Sequence, residues 1–381
     1  MEWKIPLYKI YWDEEDIKSV TKVISSGAYW AGGKEIFDFE RNLSEYFGKK
    51  YALTFNSGTS ALHALMLAYD FKSGDKLIVP SFTFIATANS SLFVNSVPIF
   101  ADIEEETFGL DCNSVKTIMD HNTSVRAVMP IHYGGTCCKD ITGITELAND
   151  KKVILIEDAA ESIGAKQAGK KAGTFGDSSM ISFCGNKVIT TGEGGVIITD
   201  SYDIYRRLNL IRSHGRDELE SYFASSVSFD YITLGYNWRI SSITAALGIS
   251  QLKKLDKIIN LRQNIVKYYN DKLKKINWII TPKFSEENVY QMYTIKVNNS
   301  LNSREKLRNY LTKKGVMTKI YFDPIHLTKF YRDKFGYNEG DFPITEKISK
   351  SVLTLPLYPS MTKEEQNYLI DSIIEYNESG L

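Results

Sequence analysis

Short apolar runs alternate with helical patterns between residues 50 and 200, and this alternation constrains the fold more than any other feature of the chain. Residues 51–55 read as a strand, residues 60–69 carry apolar side chains at helical spacing, and residues 76–80 begin the next strand. Strands that alternate with helices indicate a largely parallel sheet that helices cover on both faces. Ligands of such sheets bind beyond the carboxyl ends of the strands.

The pattern divides the chain into two predicted domains. The alternating part continues with strands and helices at residues 85–94, 97–100, 126–130, 141–149, 153–156, 180–183 and 196–199. After residue 240 a helical pattern runs to about residue 273, and shorter pieces follow, the last helix opening with a capping box at residues 362–365. We predict a large α/β domain at residues 1–245 and a small α+β domain at residues 246–381, and leave open whether the N-terminal segment packs on the small domain.

Composition narrows the possible function classes. The 381 residues include 46 Lys and Arg and 46 Asp and Glu, so the excess of positive charge on which nucleic-acid binding rests is missing. No apolar run reaches membrane-spanning length. The 4 cysteines form no CxxC pair and the 5 histidines no HExxH pair, so we expect free thiols, no metal site and a cytoplasmic location.

An acidic residue follows the apolar run at residues 153–156. Asp158 lies where a buried strand is expected to finish, and a buried carboxylate needs a partner that keeps it ionised. A protonated pyridine ring is one such partner, and a cap of the next helix is the alternative role for this acid. The neighbouring Glu157 should point to the opposite face, because side chains alternate along a strand.

Lys187 follows a glycine and an asparagine on a segment that leads into the glycine-rich turn at residues 192–195. A lysine attacks a carbonyl carbon in its neutral form. An acid at a strand end and a lysine on a glycine-flanked loop are the two groups that a pyridoxal phosphate site needs. The alternative, which holds for most lysines, is a solvated surface position.

Two further segments follow strand ends. At residues 56–62 small residues and hydroxyls precede a helix, whose free N–H groups and dipole favour an anion, and an ordinary N-cap is the alternative. At residues 80–84 an aromatic side chain either stacks on a planar ring or belongs to the core. A near match to a phosphate-binding P-loop at residues 164–171 fails, because Lys171 stands where the magnesium ligand Ser or Thr belongs.

Together these segments resemble the DegT/DnrJ/EryC1/StrS family of sugar aminotransferases over nearly the whole chain. The segments that carry the resemblance are residues 26–30, 57–59, 82–84, 157–160, 185–187, 235–239 and 355–360. The resemblance implies fold type I, the aspartate aminotransferase-like fold, with a mixed, mostly parallel seven-stranded sheet in the large domain. It also implies a homodimer with shared active sites, and pyridoxal 5'-phosphate as cofactor, with the pyridoxamine form in the half-reaction.

Site roles follow from the same resemblance. Lys187 is implied to be the Schiff-base lysine and Asp158 the partner of the pyridine nitrogen. Phe84 matches the aromatic residue that stacks on the ring, and Glu161 lies where relatives place a Gln, His or Glu near the pyridoxal hydroxyl. Asn237 matches a residue that reaches the phosphate from the other subunit. The remaining residues implied to bind the cofactor, at its phosphate, are Gly58, Thr59, Ser60 and Ser182.

Substrate contacts are assigned less directly. The diphosphate of a nucleotide-linked substrate and the carboxylate of an amino donor both need cations, and Arg can bind either group in bidentate fashion. Each candidate also has a surface or packing role as its alternative. The candidates are Trp30, Arg212, His214, Arg239 and His326.

The resemblance also implies a reaction. Lysine at position 187 favours amino transfer, because the family's dehydratases carry histidine there. Residues 157–161 and 185–195 look most like the branch that aminates C4 of the sugar. The implied reaction is transfer of an amino group from L-glutamate to C4 of a nucleotide-linked 4-keto-6-deoxyhexose, for an amino-deoxysugar of a surface polysaccharide or glycoconjugate. The alternatives are a C3-specific aminotransferase, a non-catalytic sensor or regulator, and a nucleotide-sugar dehydratase or oxidoreductase.

Overall fold

A computed structural model describes residues 2–217, 226, 228–297 and 301–378. In this part of the chain the strands, β1 to β12 in order, are Tyr51–Phe55, Lys76–Pro80, Val97–Ala101, Val125–Val128, Ile154–Asp158, Lys166–Gln167, Lys170–Lys171, Ser178–Ser182, Gly195–Thr199, Ile279–Ile280, Tyr293–Val297 and Val352–Leu355. The helices, α1 to α13 in order, are Glu14–Ser25, Lys34–Phe47, Gly58–Ala68, Ile85–Leu92, Cys112–His121, Ile141–Lys151, Tyr202–Arg212, Ser242–Lys253, Leu255–Leu273, Leu301–Lys313, Lys329–Phe335, Pro343–Ser351 and Lys363–Glu378.

A mixed seven-stranded sheet forms the centre of the fold, in the order β1-β9-β8-β5-β4-β2-β3. Strand β9 is antiparallel to both of its neighbours, and the other adjacent pairs are parallel. Strands β1, β8, β5, β4, β2 and β3 therefore run in the same direction, and their carboxyl ends meet at one edge. The predicted α/β class and mostly parallel seven-stranded sheet are confirmed.

Helices cover both faces of this sheet, as β2 illustrates. Leu77 and Val79 pack in the same cluster as Leu65 of α3, whereas Ile78 between them packs with Ile144 of α6 on the other face. All three strand residues are fully buried. Burial of an aliphatic side chain contributes about 1.5–3 kcal/mol, so an apolar strand of this kind is stable only inside a three-layer arrangement.

The C-terminal part of the chain has a sheet and a core of its own. Strands β10, β11 and β12 form a three-stranded antiparallel sheet. Tyr269 of α9, Leu307 of α10 and Leu369 of α13 belong to one buried cluster on it. Ile5 of the N-terminal segment joins that cluster and forms a parallel bridge with Val316. The boundary at residues 245 and 246, which falls inside α8, stays a prediction.

One local prediction was wrong. The helical pattern at residues 240–273 is two helices, α8 and α9, because the chain turns at Lys254, whose ammonium binds Asp13 at 2.8 Å and Asp16. That ion pair joins residues more than 230 positions apart, so local spacing could not reveal it. Within the described residues, no helix combines the length and apolar character needed to cross a membrane.

Candidate active site

A cavity of about 460 Å³ opens at the shared carboxyl edge of the large sheet. Five parallel strands deliver residues to its wall: residues 57–59 after β1, 83–84 after β2, 131–132 after β4, Asp158 at the end of β5 and Ser182 at the end of β8. Further lining residues come from elsewhere in the chain, among them Tyr8, Lys319 and Tyr321. The cavity therefore lies at the edge where the sequence predicts a ligand.

One end of the cavity is suited to an anion. The N-cap residue of α3, Ser57, accepts a hydrogen bond from Ser60 N at 3.0 Å, and Gly58 and Thr59 of the first turn face the cavity. Free N–H groups at a helix start attract negative charge. A side chain at position 58 would lie 3.1 Å from Met180 Sδ, so glycine there lets the helix start approach β8 closely.

Three predicted phosphate-binding residues therefore reach the cavity, and one does not. Gly58, Thr59 and Ser182 are part of its wall, whereas Ser60 is not. The Ser60 hydroxyl instead donates to Asn56 Oδ1 at 2.7 Å. A phosphate contact from the Ser60 side chain has no support in this geometry.

Asp158 lies on the cavity wall with both carboxylate oxygens partly satisfied. Oδ2 accepts from Thr87 Oγ1 at 2.7 Å, and Oδ1 accepts from Ala160 N at 3.1 Å. Only 6% of the residue is exposed. Burial raises the pKa of the Asp158 carboxyl, and the two donors oppose that rise. A cation placed in the cavity would therefore be stabilised by this carboxylate.

The adjacent Glu157 points away from the cavity, as the alternation of strand residues predicts. Its Oε2 accepts from His132 Nε2 at 2.8 Å and from Gly173 N at 2.7 Å. The other ring nitrogen of His132, Nδ1, accepts a hydrogen bond from Cys138 N at 3.0 Å. The ring proton is therefore on Nε2, which donates a hydrogen bond to Glu157. Glu157 thereby fixes the loop after β4 against the end of β5.

Lys187 and Glu161 meet on the same cavity wall as Asp158. The Lys187 ammonium lies 3.5 Å from Glu161 Oε1, and Glu161 Oε2 accepts from Gly134 N at 3.0 Å. Both side chains are largely buried. The structure thus brings together the lysine and the acid that the sequence singled out, although 29 positions separate them along the chain.

Phe84 presents an aromatic face to the cavity. It is the N-cap residue of α4 and is 59% exposed, whereas Phe82 two positions earlier is fully buried. An exposed ring beside the cavity is available to stack on a planar ligand. The core alternative considered for this segment therefore applies to Phe82 and not to Phe84.

Two predicted substrate residues are buried away from the cavity. Arg212 at the end of α7 forms an ion pair with Glu40 and donates to Thr54 O at 2.8 Å. His326 contacts Ser81 Oγ at 2.7 Å through Nδ1 and Glu346 Oε1 at 3.1 Å through Nε2. Burial lowers the pKa of His326, although Glu346 opposes that shift. These contacts indicate packing roles, because both terminal guanidinium nitrogens of Arg212 and both ring nitrogens of His326 are bonded to protein groups.

The other predicted substrate and partner residues also lie off this cavity. Trp30 and Asn237 are exposed, and Arg239 donates to Ser213 Oγ at 3.1 Å. His214 is also exposed; slight desolvation lowers its pKa, and Arg239 adds to that effect. None of these four residues forms part of the cavity wall within one chain. Their predicted roles therefore depend on a second subunit that would bring them to the cavity.

Sequence reasoning missed part of the wall. Thr87, Tyr8, Tyr321 and Lys319 line the cavity but carry no local motif. Thr87 had one usable signal, because it follows the aromatic Phe84 by three positions at the start of a predicted helix. The other three come from segments that only tertiary packing brings to the sheet edge.

Comparison with known proteins agrees with the fold and the site. Residues 11–374 match the DegT/DnrJ/EryC1/StrS aminotransferase family. The chain is 33% identical over 345 residues to GDP-perosamine synthase of Caulobacter vibrioides, with 90% of each chain covered, and 33% identical over 374 residues to GDP-perosamine synthase of Escherichia coli O157:H7, with 98% of each covered. Helicobacter pylori PseC, an aminotransferase involved in the biosynthesis of pseudoaminic acid, superposes with a TM-score of 0.91 at 26% identity and full coverage of both chains.

The chain belongs to the DegT/DnrJ/EryC1/StrS aminotransferase family. It is an aminotransferase of amino-sugar biosynthesis that uses pyridoxal phosphate as its cofactor. The predicted family, enzyme class and cofactor are thereby confirmed.

Proposed function

We propose that Lys187 and Asp158 carry the amino transfer. The supporting observation is that a lysine on the loop after β8 and a buried carboxylate at the end of β5 line one cavity at the carboxyl edge of the sheet. Phe84 would stack on the cofactor ring and Glu161 would contact its hydroxyl. The residues proposed to bind the phosphate are Gly58, Thr59 and Ser182 of the same chain and Asn237 of a second copy.

The cavity fits this cofactor for physical reasons. Asp158 needs a positive partner, which a protonated ring nitrogen provides, and the start of α3 offers N–H groups to a phosphate. When bound, pyridoxal phosphate supplies an electron sink for the charge that forms when a donor loses its α-proton. The Lys187 amine is the group positioned to take that proton from Cα and to return it, and Asp158 holds the proton on the ring nitrogen.

We infer that the acceptor is a nucleotide-linked 4-keto-6-deoxyhexose aminated at C4, with L-glutamate as donor. The similarity to two GDP-perosamine synthases at 33% identity supports this reading, as does the resemblance of residues 185–195 to C4 enzymes. A C3-specific reaction is the competing outcome. The cytoplasmic location stays a prediction.

The charge of the cavity indicates where an anionic substrate would be held. Three acids, Asp158, Glu161 and Glu193, and two lysines, Lys187 and Lys319, line it. Because Lys187 is proposed to act on the amino group, Lys319 is the other lysine of this wall and the one proposed to bind the substrate diphosphate. We propose for it the anion-binding role for which the sequence offered Arg212 and Arg239 as candidates.

A homodimer with shared sites is part of this proposal. On the single chain large apolar side chains are exposed, and among them are Trp12 at 60%, Trp30 at 47% and Leu234 at 78%. Such surface is commonly buried by a partner. Asn237 is absent from the cavity wall of its own chain, so it can reach a cofactor only in another.

A complementation experiment tests the shared site. Lys187→Ala and Asn237→Ala should each be inactive, and co-expression should restore activity, because the heterodimer contains one site with both residues intact. If each site used only its own chain, no combination of the two variants would be active. Lys166→Ala is the matched control, since Lys166 is exposed on β6.

The substrate is tested by product analysis. GDP-, UDP- and dTDP-linked 4-keto-6-deoxyhexoses are each incubated with L-glutamate, and products are identified by mass spectrometry and NMR. Amination at C4 with one nucleotide preferred is the expected result. Amination at C3 would replace the C4 assignment, loss of water would indicate a dehydratase, and an unchanged substrate panel would favour a regulator.

A further inference from the structure

Two buried threonines link the cavity wall to Asp158. Thr87 Oγ1 donates to Asp158 Oδ2 at 2.7 Å and lies 2.9 Å from Thr83 Oγ1. Thr83 is 2% and Thr87 1% exposed, and both line the cavity. Thr87 lies in the first turn of α4, whereas Thr83 directly precedes the N-cap residue Phe84, so the turn into the helix brings the two hydroxyls together.

The proton count gives this chain of hydroxyls a direction. A threonine hydroxyl has one proton to donate. Because Thr87 gives its proton to an ionised Asp158, Thr83 must donate to Thr87. Both bonds then point toward Oδ2, and successive bonds of one direction strengthen each other. Ala160 N serves the other oxygen at 3.1 Å, so each carboxylate oxygen has its own donor.

We propose that Thr87, supported by Thr83, is a positioning residue that keeps Asp158 ionised and aimed at the ring nitrogen of the cofactor. The proposal rests on the role of Asp158 proposed above. A donor that bonds the charged form offsets the effect of burial, which favours the neutral acid. Without this donor the carboxyl would more readily hold a proton itself and would lose its value as a partner for a protonated ring.

Other charged groups act on the same carboxylate. Glu161, on the turn that follows β5, opposes ionisation of Asp158, and Lys187, on the loop after β8, favours it. Neither side chain is hydrogen-bonded to Asp158 in the described structure, so the threonine and the Ala160 amide are its direct donors. Thr87 is therefore the side chain whose loss should change the carboxylate most directly.

The experiment compares four purified variants with the wild-type protein. Thr87→Val removes the hydroxyl at nearly constant volume, Thr87→Ser keeps it, and Thr83→Val removes the second link. Thr145→Val is the matched control, because its hydroxyl bonds Ile141 O at 2.7 Å within α6. Affinity for pyridoxal phosphate and for pyridoxamine phosphate is measured by absorbance or fluorescence titration over a range of pH.

Thr87→Val should bind both forms of the cofactor roughly ten- to a hundredfold more weakly, as expected for loss of a bond to a charged group. As the pH is lowered, the affinity of this variant for the cofactor should begin to fall at a higher pH than that of the wild type. The reason is that its Asp158 carboxyl, without the threonine donor, takes up a proton at a higher pH. Thr83→Val should shift both quantities in the same direction by less. Thr87→Ser and Thr145→Val should match the wild type.

The proposal would be overturned if Thr87→Val bound the cofactor with wild-type affinity and lost that affinity at the same acidic pH as the wild type. Equal losses in Thr87→Ser and Thr87→Val would also overturn it, because packing rather than the hydroxyl would then be responsible. Should Thr87→Val fail to fold, Thr83→Val and Thr87→Ser decide the same question. A wild-type protein that binds neither form of the cofactor would instead refute the proposed site itself, which separates the two failures.

Discussion

Replacing Arg212 distinguishes a packing role from the substrate role, the two alternatives that the sequence left open for it. Arg212→Ala leaves Glu40 buried without its ion-pair partner, and Thr54 then supplies the remaining bonds, from N at 2.8 Å and from Oγ1 at 2.7 Å. Breaking a buried ion pair costs about 3–5 kcal/mol. Because two donors to Glu40 survive, we expect the lower end, a loss of about 3 kcal/mol in the free energy of unfolding.

Arg206 provides the matched control on the same helix. Its guanidinium lies 3.9 Å from Asp217 and both side chains are largely exposed, so Arg206→Ala should cost less than about 1 kcal/mol. Urea titrations give the free energies, and steady-state kinetics give KM for the nucleotide sugar. Pairing Arg212→Met with Glu40→Gln should recover part of the loss, because no uncompensated charge stays buried.

The reasoning fails if Arg212→Ala is as stable as Arg206→Ala while KM for the nucleotide sugar rises tenfold or more. Arg212 would then be a substrate ligand, and the contacts with Glu40 would be incidental.

Three further predictions follow from the cavity. Burial raises the pKa of Asp158, so the ionised carboxylate lowers the free energy of unfolding of the cofactor-free protein. This destabilisation is absent below the unfolded-state pKa, where the group is protonated in both states, and complete above the folded-state pKa. Asp158→Asn should therefore stabilise the cofactor-free protein at neutral pH and not in acid, as urea titrations at both pH values would show. Lys319→Met should raise KM for the nucleotide sugar about tenfold with little change in kcat, whereas Lys329→Met, an exposed residue off the cavity, should not. Phe84→Ala should weaken cofactor binding and change the free energy of unfolding by less than about 1 kcal/mol, while Phe82→Ala, at a fully buried position, should cost about 3–5 kcal/mol by the same titration.

What the sequence could predict was set by short-range patterns. Asp158 stands at the end of one strand-like run and Lys187 on the loop that follows another, and the direction of parallel strands brings such ends to one edge. The strand and helix assignments from residue 51 to residue 199 depend on the same local periodicity, and the structure matches them to within a few positions.

What the sequence could not predict depends on contacts between distant positions. Thr87 bonds Asp158 across 71 positions, and Arg212 meets Glu40 across 172. Lys319 and Tyr8 reach the cavity through the packing of the C-terminal part and the N-terminal segment. In the sequence alone, Arg212 is as suited to bind an anionic substrate as to pack in the core. Only its buried contact with Glu40 distinguishes the two roles, and no rule of sequence spacing predicts that contact.

The N-terminal segment has a practical consequence for producing the enzyme. Ile5 is pinned against Val316, and Tyr8, three positions further on, already forms cavity wall. A purification tag or fusion partner joined ahead of these residues would begin only a few residues from the cavity wall, close enough to affect the binding of large substrates. Kinetic constants should therefore be determined after such an extension is cleaved, and those from uncleaved preparations treated as a separate enzyme form.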